Sequence, residues 1–179
     1  MQSPDAIDAK LFDVGLFLIR LIFGLVFAAH GAQKLFGWFG GYGLGGTGEW
    51  MASIGFRPGK PFAAGAGFGE FVGGLLFALG FLSPIGSALM LSVMVVATWT
   101  VHRKNGLFAT NNGIELPLLF GTAAVGIALT GPGRYSLDAV LGNHVLLRPS
   151  VTWIVLGIGL LGGIANLALR RPSDPKPSV

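Results

Sequence analysis

Apolar residues run along this chain in five long stretches, at residues 14–36, 61–81, 84–101, 113–130 and 153–169. A hydrocarbon layer of about 30 Å takes roughly 20 residues of helix to cross, with about 17 as the practical minimum. All five stretches meet that length. The first is interrupted by Arg20 and His30, and the fourth carries only Glu115 near its start. The second opens on Pro61, which a first helical turn tolerates because its missing N–H has no partner there anyway. The pattern predicts an all-α membrane helical bundle. Residues 1–13 form an N-terminal tail before the first span. Residues 170–179 form a proline-rich, disordered tail after the fifth, which reads as the most separable of the spans.

The connections differ in character. Residues 37–60 hold seven glycines between Gly37 and Gly48, followed by T-G-E-W-M-A-S-I, which suits a short helix lying in the interface. Residues 82–84 make a tight Leu-Ser-Pro turn, residues 102–112 are basic and polar, and residues 131–150 include G-P-G-R-Y-S-L-D. With the N-terminus on side A, five crossings place Lys10, Arg134 and Arg148 there. Side B receives Lys34, Arg57, Lys60, Arg103, Lys104, Arg170, Arg171 and Lys176. The excess of positive charge predicts that side B is cytoplasmic, in a multi-pass plasma-membrane protein with its N-terminus out and its C-terminus in. Trp38, Trp50 and Trp99 fall at the B boundary and Trp153 at the A boundary, as interface anchors do.

Composition sharpens this picture. Hydrophobic residues make up 52% of the 179 and charged residues 11%, against roughly 25% charged in soluble domains. Mean hydropathy is +0.69. The net charge of +4 accompanies no RNA- or DNA-binding motif, so its role is orientation and contact with anionic head groups, with no nucleic acid as partner. The chain lacks cysteine, which excludes disulfides, a thiol nucleophile and thiolate-bound iron–sulfur or zinc. Asp5, Asp8 and Asp13 against Lys10 do not make the basic opening of a cleavable signal.

Candidate chemistry gathers near side B. His30, Gln33 and Lys34 are three and four residues apart, so they neighbour one another on one helical face. At ~1.5 Å per residue, His30 lies about 9 Å below side B and Lys34 about 3 Å. Lys34 can snorkel to the surface; His30 is too deep and needs a partner. Glu70 lies roughly 13 Å down the second span, while Glu115, Thr100 and His102 enter the same half of the membrane. An isolated charge in lipid costs at least ~2.5–3.5 kcal/mol, so these groups should face one another inside the bundle. His30, Gln33, Lys34, Glu70, Glu115 and His102 are therefore the candidate ligand-binding residues, and a purely structural cluster is the competing reading. Two GxxxG steps, Gly65–Gly69–Gly73, let neighbouring helices close around Glu70. Arg20, roughly 9 Å from side A, calls for a structural ion pair with Asp138 or with Asp13.

Weaker signals are set aside. G-Y-G-L-G-G at residues 41–46 matches GxGxxG but follows a span instead of a strand; a flexible cover over the polar pocket suits it better. A haem between His30 and His102 is disfavoured by their different depths. No metal is assigned, because the ExxH spacing of di-metal bundles is absent. His144 reads as a solvated loop residue.

Several motifs in order carry a resemblance: H-G-A-Q-K-L-F-G-W-F-G-G, then G-F-R-P-G, then G-F-G-E-F-V-G-G-L-L-F-A-L-G, N-G-I-E-L-P-L-L and G-P-G-R-Y-S-L-D. Over about residues 16–141 the chain resembles the DoxX family. The resemblance implies a four-helix membrane core over residues 14–141, to which residues 153–169 add a fifth helix. It also implies association with membrane redox assemblies. His30, Gln33, Lys34, Glu70, Glu115, Arg134 and Asp138 fall on positions of the family pattern. The reading that follows is a subunit of a quinone-linked redox assembly, not catalytic alone, at most one subunit of an oxidoreductase complex. Quinone stays in view as a ligand, a soluble or membrane redox partner is implied, and a homo- or hetero-oligomer is expected. A membrane scaffold or a small-solute carrier is the alternative.

Overall fold

A computed structural model describes residues 4–171; the tail expected at residues 172–179 lies outside the described residues. The order is α1 (Pro4–Phe36), α2 (Gly43–Ser53), α3 (Gly59–Leu79), α4 (Ser83–Ala97), α5 (Glu115–Thr130), α6 (Leu137–Leu141) and α7 (Pro149–Ala168). Among the described residues there is no strand. The protein is an all-α membrane bundle.

α1 starts at Pro4, where the hydropathy pattern places a tail to residue 13. Nothing between Pro4 and Val14 breaks a helix. Ala6, Ala9 and Leu11 favour one, and acidic residues suit its N-terminal end. At 33 residues, α1 is about 50 Å long and overshoots a bilayer. Among the described residues, four helical segments have the length and apolarity to cross: Ile7–Phe36, Gly59–Leu79, Ser83–Asn105 and Pro149–Ala168. α5 is shorter, at 16 residues, because Gly113 and Ile114 are drawn into the preceding loop by bonds from Ile114 N to Gly106 O and Glu115 N to Leu107 O.

α1, α3, α4 and α5 form a ring, each packed on the next and α5 returning to α1; α7 lies outside α4. The tightest seam joins α1 to α3. A Cβ on Gly24 would fall 2.6 Å from Ala78 N, one on Gly31 2.3 Å from Phe71 N, and one on Gly74 2.5 Å from Ala28 N. The working glycines are thus Gly24, Gly31, Gly67 and Gly74. Of the expected GxxxG set, Gly69 and Gly73 face α4 side chains and a Cβ on Gly65 would meet nothing. α7, expected to be the most separable helix, is seated on α4 through Gly159 and Gly163, whose Cβ positions lie 2.5 Å from Ala88 O and 2.8 Å from Ser92 O. Small residues bring backbones together where lipid gives side chains no hydrophobic advantage.

Asp13 and Arg171, near the two ends of the described residues, sit at opposite faces. Asp13 of α1 accepts from Arg134 N at 2.9 Å, beyond the end of α5. Arg171 N donates to Gly55 O at 2.8 Å, between α2 and α3. The middle of the ring is filled by Leu16, Phe77, Met90, Ala124 and Ile127. α2 lies across the B end, with Met51, Phe56 and Ala63 packed under it.

Candidate functional site

Between the solid middle and the α2 cover is a cavity of about 550 Å³. Its walls are apolar: Phe27, Phe62, Val93, Ala97 and Phe120 are among them. Its polar edge comes from four elements: His30 and Lys34 of α1, Glu70 of α3, Thr100 and His102 beyond the end of α4, and Asn166 of α7. Hydrocarbon outside the ring forces this convergence, since none of these groups is well solvated there.

Lys34 Nζ reaches Glu70 Oε2 at 2.5 Å. The lysine side chain keeps 25% of its exposure and the carboxylate 6%, as their depths require. α3 brings Glu70 in on the small-residue face of Ala66, Gly67, Gly73 and Gly74.

Gln33 is beside the cavity and not on it. Its Nε2 donates to Phe39 O at 3.2 Å. That bond orients the amide, so Oε1 turns to His30 Nδ1, also at 3.2 Å. An amide oxygen only accepts, so His30 Nδ1 carries a proton and donates. His102 repeats the arrangement: its Nδ1 is 2.8 Å from Asn112 O, a carbonyl, so its Nδ1 also donates. His30 stands edge-on to Phe120, with ring centroids 6.4 Å apart. Two imidazoles, each with its Nδ1 tied to an oxygen, therefore belong to one cavity.

The remaining expectations fall elsewhere. Glu115 does not line the cavity; its Oε2 accepts from Ala109 N at 2.7 Å and ties the loop before α5. The glycine segment at 41–46 is not a free cover. A Cβ on Gly41 would lie 2.4 Å from Gln33 O, so the segment is pressed onto α1, and the cavity is covered instead by Trp50, Met51 and Ile54. His144 is exposed. Among the described residues no three His, Asp or Glu side chains gather where they could hold a metal ion.

Arg20 and Asp138 are both fully buried near side A, yet they do not form the direct ion pair expected. Asp138 accepts from Leu82 N at 3.0 Å, Ser83 N at 2.9 Å and Ser83 Oγ at 2.6 Å, so it caps α4 from α6. Arg20 Nη2 donates to Tyr135 O and feels Asp138 only through the Coulomb field. Asp13, the other expected partner, takes Arg134.

Sequence reasoning missed Asn112 and Asn166. Asn166 did leave a signal: it is the one amide inside the fifth apolar stretch. Asn112 acts through its backbone carbonyl, which no side-chain pattern reveals.

A family model, DoxX, matches residues 15–103. The chain is 30% identical over 129 residues to "Putative oxidoreductase CatD" of Bacillus subtilis, covering 72% of this chain and 88% of that protein. It is 29% identical over 137 residues to "Inner membrane protein YqjF" of Escherichia coli, covering 75% and 97%. An uncharacterized protein of Haemophilus influenzae is 26% identical over 163 residues, covering 82% and 97%. No solved structure matches.

Proposed function

Since this chain belongs to the DoxX family and is a multi-pass membrane protein, we propose that it is the ring-binding subunit of a quinone-linked redox assembly in the plasma membrane. The observation that carries this reading is the cavity: apolar over most of its wall, with Lys34, Glu70, His30 and His102 at its edge. A flat ring with opposed oxygens suits such a space. A bound quinone would supply the two-electron chemistry. The chain's own part is to exclude water and to exchange protons. The Nε2 atoms of His30 and His102 accept from ring hydroxyls and, once protonated, donate to ring carbonyls. Lys34 holds the Glu70 carboxylate at the cavity edge. Electrons pass to or from a partner, and a redox role agrees with the name "Putative oxidoreductase CatD" of the Bacillus relative.

The basic face, with Lys34, Arg57, Lys60, Arg103 and Lys104, is the cytoplasmic one. The α2 cover of the cavity then faces the cytoplasm. A through-passage for solute fits less well, because Leu16, Phe77, Met90 and Ile127 pack the bundle below.

The test is a thermal melt of detergent-purified protein with a benzoquinone analogue. The expected result is a rise in melting temperature that Glu70→Gln and His30→Phe both abolish. No rise at saturating analogue would refute the reading.

A further inference from the structure

A second hollow, of about 650 Å³, lies on the outer flank of the bundle between α4 and α5. Its walls include Leu91, Val95, Thr98, Leu118, Gly121 and Val125. Two residues belong to both hollows: Met94 and Pro117 line the inner cavity on one side and this groove on the other. Met94 of α4 and Pro117 of α5 are thus walls common to the interior and the lipid-facing groove. Met94 is unbranched and polarisable, the most adaptable core side chain. Pro117 stands in the first turn of α5, where its missing N–H has no helical partner to lose. On the α4 side the helix loosens into a wider π-turn over Thr98–His102. The two hollows meet at Met94 and Pro117.

Resting on the reading of the inner cavity as a ring site, we infer that its ligand is a membrane-dissolved amphiphile that enters sideways between α4 and α5. Its ring sits by His30 and Glu70, and its apolar tail leaves past Met94 and Pro117 along the outer groove. The groove does not attract the tail more strongly than lipid does, because acyl chains are as apolar as its walls. It gives the tail a way out. A ring held under the α2 cover cannot keep a long tail inside about 550 Å³, and the bundle below is filled.

The test compares a dimethoxy-methyl benzoquinone without a side chain and the same ring carrying a decyl tail. Both are bound to the full chain in nanodiscs and followed by tryptophan quenching. Gly121→Phe puts a ring into the groove, and a Cβ at Gly121 meets nothing within 4 Å. Gly126→Phe, equally open, is the second variant. The expected result is that each variant weakens the decyl compound at least about tenfold and leaves the tail-less ring unchanged. Binding of the tail-less ring also reports that the variant is folded. If both compounds keep their affinity in both variants, or lose it in parallel, the lateral exit is overturned while the ring site stands. If neither compound binds the unsubstituted chain, the ring site falls and the exit with it.

Discussion

Removing Lys34 should cost more than removing the charge on Glu70, although the two form one pair. Charges at roughly 4 Å attract by about 4 kcal/mol at the effective dielectric near a protein surface, and lost solvation cancels much of it. What differs is the fate of the partner left behind. In Glu70→Gln the ammonium is already 25% exposed and about 3 Å from side B. It can turn outward, and the net cost is about 1 kcal/mol. In Lys34→Met the carboxylate stays 6% exposed, roughly 13 Å along α3, with no route to water. Stranding a buried charge costs about 3 kcal/mol or more. The two variants should therefore differ by about 2 kcal/mol, a factor of ~30 in the unfolding equilibrium. The double variant Lys34→Met/Glu70→Gln should recover most of the loss, since no charge is then stranded. Titration with sodium dodecyl sulfate in mixed micelles, followed by tryptophan fluorescence, measures all three. Equal costs, or a larger cost for Glu70→Gln, would refute the depth argument.

Gly31→Ala should lower the same stability by about 1–3 kcal/mol, because its Cβ would meet Phe71 N at 2.3 Å and two backbones must separate. Gly15→Ala, with nothing within 4 Å, should be neutral or stabilising by up to about 1 kcal/mol. Asp138→Ala should cost about 3–5 kcal/mol, since it leaves the Leu82 and Ser83 N–H groups unmet and removes the charge nearest buried Arg20; the detergent-denaturation midpoint reads this. Arg170→Ala removes the donor to Ile54 O at 2.6 Å. A charged hydrogen bond is worth about 1.5–3 kcal/mol, so amide exchange at residues 54–56 should rise tenfold or more, read by deuterium-exchange mass spectrometry.

Much of this protein could be read without coordinates. The scarcity of charge and the length of the apolar stretches determined a helical membrane bundle, because hydrocarbon leaves the backbone few alternatives. The same physics put Lys34 with Glu70 and brought His30 and His102 to one end, since depth along a helix follows from residue counting. Rotation about the helix axis and the path of the loops do not follow from counting. They decided that Gly31 and Gly74, and not Gly65, carry the α1–α3 seam, and that Glu115 ties a loop. They also gave Asp138 to the amides of α4 in place of Arg20, because a carboxylate satisfies several buried donors at once where the guanidinium offers only its own. The cover of α2, the clamp of Arg170 on Ile54 and the shared wall at Met94 and Pro117 join residues distant in the chain. Only the folded packing of five helices determines where such contacts form.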